Sequence, residues 1–342
     1  MQVDSQNICP YLLRTSNIGR VAVRNTGEAD LSNGSEVRTT FHDSNPTTGY
    51  VLAIVSSFAS GLSVVIGKWN LVHISPLLMN GLIFTIATIV LTATVLPSKG
   101  IKGTFHLTRS GWFWLLMFSV GSWLAIWAYW AGIQRMDPSL AAFLNRFEVP
   151  VAIALAAIFL KERFSRKELV GAALTIVGIV LMKLTLRMDY SPGFWLVLLG
   201  ALLFGITEFL SKIAVRHVGP LILTYIRNMF LAVFYMIAVS VGGVSYDGLE
   251  NVWIGVIALA LAGPVLARLL YLMALKRVEL SKVALISQIQ PVFVVLIALL
   301  ALGQLPTARE IAGGLILMAG CLIMVLSRHG NRQRFHTIES KG

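Results

Sequence analysis

Charged side chains are scarce in this sequence: Asp, Glu, Lys and Arg make up 13% of its 342 residues, against about 25% in an ordinary soluble domain. With 56% of the chain hydrophobic, that scarcity excludes a soluble globular domain. Cysteine is nearly absent, with Cys9 in a polar N-terminal stretch and Cys321 inside an apolar run, so no disulfide framework follows. The histidines, His42, His73, His106, His217, His329 and His336, all fall in polar ends or at the edges of apolar runs. Neither a metal cluster nor a Ser/His dyad is therefore expected inside the runs. No GxxxxGK loop occurs, which speaks against a pump driven by ATP within this chain. A membrane-embedded enzyme thus lacks its reactive groups, and no catalytic residue, metal or cofactor is expected.

What is abundant is long apolar stretches. Ten runs, about 49–67, 77–96, 112–133, 140–160, 168–184, 194–212, 219–241, 251–275, 283–303 and 310–327, are each long enough as a helix to cross a hydrocarbon core about 30 Å thick. The formal charge of +12 suggests nucleic acid until the basic residues are placed. With the N-terminus inside, 20 of the 28 Lys and Arg residues fall on the cytoplasmic side, 5 on the other, and Arg146, Arg227 and Arg268 within spans. That is the positive-inside distribution, with both termini cytoplasmic and the plasma membrane as the expected location. The basic charge is then topological and implies no nucleic acid. Residues 1–48 are polar, lack the apolar core of a cleaved signal peptide, and are expected to be a disordered cytoplasmic tail. Residues 329–342 are expected to form a second cytoplasmic tail.

The chain also repeats. An offset of 144 aligns Gly61 with Gly205, Lys68 with Lys212, His73 with His217 and Pro76 with Pro220. An offset of 142 aligns Gly121 with Gly263, Tyr129 with Tyr271, Arg135 with Arg277, Glu168 with Glu310, Gly171 with Gly313, Gly178 with Gly320 and Met182 with Met324. Five spans fall in each half, 49–187 and 192–328, and because five is odd the second copy enters the membrane from the opposite face. The fold expected is an all-α integral membrane protein of ten transmembrane helices in two inverted five-helix repeats, an architecture suited to rocking around a central site.

The segments that carry the repeat also carry a family resemblance. Pro150 followed by FLKERFSRKELVGAALTIVG at 159–178, with the matching ALGQLPTAREIAGGLILMAG at 301–320, resembles the paired signature of the EamA-like branch of the drug/metabolite transporter superfamily. The likeness covers about residues 49–328. It implies ten helices, a central cavity lined by the first four helices of each repeat, and the fifth helix of each at the periphery. Gln304 stands where that pattern has an acid, present in the first half as Glu162, and the Arg146/Glu148 pair is not a feature of the whole family.

Candidate site residues are the polar groups buried in the spans. Glu148 lies about 12 residues from the cytoplasmic end of its span, near mid-membrane, with Arg146 about 3 Å further out. Ionisable groups at that depth cost about 2.5–3.5 kcal/mol each and need partners. Two residues along a helix is about 200° of rotation, which points the two side chains apart, so Arg227 or Arg268 is the expected partner of Glu148. Gln288 and Gln290 occupy the positions equivalent to Arg146 and Glu148. Pro150 and Pro291, displaced by one residue between repeats, are read as gating kinks, with a static kink as the alternative. Trp123, Trp127 and Trp130 share one helical face, which suits either a cavity wall for an apolar or cationic substrate or plain core packing. Tyr129, Tyr225 and Tyr271 would add hydroxyls. Glu208 and Lys212, one turn apart, read as a surface ion pair. Gly171, Gly178, Gly313, Gly314 and Gly320 allow close helix approach, with a homodimer seam as the alternative.

The function these residues suggest is secondary transport of a small metabolite, by export, with an amino-acid-like substrate first because three arginines outnumber the acids. The alternatives are a channel or scaffold, and, from the tryptophans, a cationic or aromatic drug-like compound. The expected partners are the small-molecule substrate and the lipid bilayer.

Overall fold

A computed structural model describes residues 46–159, 165–185, 191–278, 280–303 and 306–339. The expected N-terminal tail lies outside these residues except for 46–48, which open the first helix, and so do Glu162 and Gln304. The described chain is helical throughout. Its elements are α1 (Pro46–Asn70), α2 (Pro76–Phe105), α3 (Arg109–Gln134), α4 (Pro138–Asn145), α5 (Glu148–Phe159), α6 (Arg166–Thr185), α7 (Ser191–His217) and α8 (Pro220–Val241). They continue with α9 (Leu249–Ala260), a π-helical stretch (Leu261–Ala267), α10 (Arg268–Arg277), α11 (Leu280–Ser287), α12 (Gln290–Leu302) and α13 (Ala308–Glu339).

Among the described residues nine helices are long and apolar enough to cross a membrane. The fifth expected span, 168–184, forms α6, which is not among those nine. The final helix does not stop at the expected boundary but continues to Glu339. Three spans expected to be single helices are interrupted: the fourth is α4 plus α5, the ninth is α11 plus α12, and the eighth contains the π-helical stretch.

Helix ends are set locally. Thr108 caps α3 through the Gly111 amide at 3.1 Å, and proline opens α2, α4 and α8, where its missing N–H is one of the orphans of a first turn anyway. Ser165 and Glu168 form a capping box before α6, and Thr307 and Glu310 form its repeat-related copy before α13. Both carboxylates are buried, so the matched glutamates at the offset of 142 hold backbone in place.

Packing follows the repeat. The first helix of each half inserts into the other half: α1 lies against α10 and α12, and α7, its counterpart, lies against α3 and α5. Equivalent helices also meet each other, α2 with α8 and α6 with α13. On the first pair Phe84 stacks on Tyr235 at 6.1 Å and Thr92 bonds Tyr225 at 3.0 Å, so residue numbers rise on one helix as they fall on the other. Equivalent helices therefore run antiparallel, as inversion requires.

The same crossing occurs between α6 and α13, where glycine removes the barrier to contact. A Cβ placed on Gly171 would stand 2.7 Å from the Gly320 carbonyl oxygen, and one on Gly178 would stand 2.6 Å from the Leu317 amide nitrogen and 2.7 Å from the Gly313 carbonyl oxygen. These neighbours are backbone atoms, unable to move aside. The glycine faces are thus used within one chain. Gly178→Val should wedge the helices apart and cost about 1–3 kcal/mol, the usual range for overpacking. A thermal unfolding midpoint in detergent equal to that of the parent protein would refute this.

Candidate functional site

The interruption in the fourth span is a tight turn that the second repeat copies. Arg146 and Phe147 donate their amides three residues back, to Phe143 and Leu144, and Gln288 and Ile289 do the same to Leu285 and Ile286. All four bonds match at the offset of 142. The bonding is of the 3₁₀ kind, which tightens the turn and redirects the axis. Arg146, at the end of α4, has ψ −14°, well away from the roughly −42° of a continuing α-helix.

The prolines sit just beyond the two breaks, Pro150 in the first turn of α5 and Pro291 in the first turn of α12. Each lacks the amide that would reach the carbonyl four residues back, so the freed carbonyls are those of Arg146 and Ser287. The Arg146 carbonyl accepts from the Val149 amide at 3.0 Å and from the Cys321 thiol on α13 at 3.3 Å. The Ser287 carbonyl accepts from Arg146 Nη1 at 3.5 Å. The vacancy created by the proline of one repeat is thus filled by the arginine of the other.

Arg146 gathers the site. Its Nη2 donates to Gln290 Oε1 at 2.7 Å, and its Nη1 lies 3.5 Å from Glu148 Oε1. Glu148 in turn accepts from Asn145 Nδ2 at 3.4 Å. The side chains of Arg146 and Glu148 are 7% and 20% exposed, which makes this an ion pair inside the bundle. The expectation that they point apart is corrected: the rotation rule holds along one helix, and here α4 ends at Asn145 and α5 begins a new axis at Glu148. Neither Arg227 nor Arg268 is the acid's ion-pair partner. Gln290 faces the pair as the repeat suggested, and Gln288 is buried with its Oε1 unpartnered among the described residues.

Arg227 on α8 donates through Nε to Ser122 Oγ on α3 at 3.0 Å and lies 5.2 Å from the Phe118 ring centre. Arg268, the first residue after the π-helical stretch, lies 5.7 Å from the Tyr271 ring centre. Glu208 on α7 is close enough to Glu148, Arg227 and Tyr271 to act on each electrostatically. The expected pairing of Glu208 with Lys212 falls on a side chain outside the described residues. Arg227, Arg268, Tyr271, Glu208 and Gln290 are all partly, not fully, buried.

The tryptophan stripe divides. Trp127 is 40% exposed and shares its face of α3 with exposed Phe113, Met117, Val120 and Leu124, an outward apolar surface. Trp123 sits at the edge of that face against Phe234 and Tyr235, lining an apolar groove of about 350 Å³ with Val120, Ile237, Ala238 and Val241. Trp130 is buried against Gly67. Tyr225 bonds Thr92 between α2 and α8, whereas Tyr129 is buried within electrostatic range of Arg146 and Glu148. Sequence reading missed Asn145, Ser287, Ser122, Cys321 and the role of Glu208. The prolines were the available signal, since counting four residues back from each names Arg146 and Ser287.

Two inverted repeats of apolar helices, each broken where they meet around buried charges, define a multi-pass membrane transporter. Residues 47–184 and 191–326 each match the EamA-like transporter family, and the chain belongs to that family. It is 25% identical over 298 residues to a Salmonella typhimurium protein named "Probable amino-acid metabolite efflux pump", covering 80% of this chain and 93% of that one. It is 21% identical over 299 residues to an uncharacterized transporter of Synechocystis, covering 83% of each. A solved crystal structure of 18% identity superposes with a TM-score of 0.59 over 82% of this chain and 96% of its own, a likeness of fold alone.

Proposed function

We propose that this chain exports a small amino-acid-like metabolite across the plasma membrane by alternating access, with both termini in the cytoplasm. The observation that carries the reading is the pair of matched breaks at 146–147 and 288–289 joined by Arg146, whose guanidinium reaches Ser287 and Gln290 of the other repeat. Helices broken at equivalent points of two inverted halves, around an ionised site, are the parts that let one half rock against the other. In this reading Pro150 and Pro291 act as gates by keeping the turns short of amides, so that the breaks persist as the halves move. The name of the Salmonella relative supports the amino-acid-like assignment, as does the excess of arginine over acid. Trp123, which lines the apolar groove, is what stands in favour of the cationic, aromatic alternative.

Proteoliposomes holding the purified protein test the mechanism. A carrier gives saturable uptake that is accelerated by unlabelled substrate on the opposite side; flux rising in proportion to concentration, with no such acceleration, would identify a channel. Tags at both chain ends, in intact cells, should become accessible only after permeabilisation.

A further inference from the structure

Two of the three intramembrane arginines are left without an acid in contact. Arg146 has Glu148, but Arg227 donates to a neutral hydroxyl and Arg268 faces an aromatic ring with its buried Nε unpartnered. Among the described residues neither has a carboxylate oxygen within 4.0 Å. They come from α8 and α10 of the second repeat and are close enough to act on each other. Two like charges held together in a poorly solvated bundle repel, and each also carries the cost of leaving water. Glu208 is in range, but one negative charge does not balance two positive ones. The first repeat, by contrast, neutralises its own arginine through Glu148. The polar cluster is therefore electrically lopsided, with its unmet positive charge on the second-repeat side, on arginines that are only partly buried.

We infer that Arg227 and Arg268 form the anion-reading end of the substrate site, and that the transported compound carries a net negative charge: a dicarboxylic or N-acylated amino acid in preference to a neutral zwitterion. This rests on the transport reading above. A carboxylate set against both guanidiniums supplies the acid they lack, and the donor fork of arginine suits it. A zwitterion brings an ammonium as well, adding positive charge to a site that already has an excess of it. Ser122 and Tyr271, held against the two arginines, then serve as neutral supports that orient the cations without cancelling them.

The test uses two pairs of probes that differ by one charge: L-glutamate against L-glutamine, which are equal in shape, and N-acetyl-L-alanine against L-alanine, in which acylation removes the ammonium. In counterflow with the full chain in proteoliposomes, the anionic member of a pair should half-saturate at a concentration lower by roughly tenfold or more, tenfold being the low end of what one hydrogen bond to a charged group contributes. Arg268→Gln and Arg227→Gln should each pull that ratio towards one, and Arg268→Lys should retain part of it. Should a variant fail to fold, the ratio measured on the unmodified protein decides by itself. Saturable counterflow of the neutral members at equal or lower concentration would overturn the charge assignment and leave the carrier standing. Failure of either anion to bind, by counterflow or by a shift in thermal midpoint, overturns it as well. Non-saturating flux of both members of a pair would instead remove the carrier reading itself.

Discussion

Arg146→Met is expected to abolish counterflow and to destabilise the protein by about 3–5 kcal/mol, the usual penalty for removing one partner of a buried ion pair. Methionine fills much of the same volume, so the loss is chiefly electrical and not one of packing. Three acceptors lose their donor together: the Glu148 carboxylate, the Ser287 carbonyl and Gln290 Oε1. The latter two belong to the other repeat, which is why transport should fail even in protein that still inserts. Arg146→Lys should rescue little, because one ammonium lacks the planar fork that reaches separate acceptors at once. The measurement is counterflow in proteoliposomes matched for reconstituted protein, alongside the thermal midpoint in detergent. Counterflow at the parental rate in the methionine variant would remove Arg146 from its place at the junction of the repeats.

Glu148→Gln is expected to reduce transport on the order of 100-fold, the scale of a few kcal/mol lost when a buried charge loses its counter-charge, while the protein remains in the membrane. Glutamine preserves the size and an acceptor for Asn145 but leaves Arg146 only neutral partners. The guanidinium is then an uncompensated buried cation, and its most favourable position shifts away from the turn it bridges. Removing both charges together, as Arg146→Met with Glu148→Met, should cost less stability than the sum of the single changes, since neither charge is stranded. Strict additivity in that cycle would mean that the 3.5 Å approach of Arg146 to Glu148 carries no coupling. Unchanged flux in Glu148→Gln would take the acid out of the mechanism.

Much of the bundle was legible in the chain because the properties involved are local or periodic. A run of apolar residues is a candidate membrane helix whatever surrounds it, since the bilayer demands that each segment satisfy its own backbone. The offset of 142 correctly paired the glycines of α6 and α13, the capping glutamates Glu168 and Glu310, and the turn residues Arg146 and Gln288 with their counterparts. The site was less legible. Treating residues 140–160 as a single helix made the Arg146/Glu148 pairing look geometrically excluded, and the 3₁₀ turn removed the premise. The tryptophan stripe had the right periodicity, but periodicity does not say which sector of a helix faces lipid. The electrostatic reach of Glu208 to groups on α5, α8 and α10 was not legible, because it depends on helices far apart in the chain.

The sequence by itself determined that this is a multi-pass membrane protein built from a duplicated unit of inverted orientation, because hydropathy, loop charge and repeat offset are properties of the chain read in one dimension. Only the tertiary structure decided which buried charges are partnered. Partnership depends on distances of a few ångströms between helices far apart in the chain, and those distances were set by where the helices break. Pro150 and Pro291 link the two levels: each is visible as a letter, but the donor that reaches its freed carbonyl from the other repeat, Cys321 for Pro150 and Arg146 for Pro291, is in place only when the repeats are packed together.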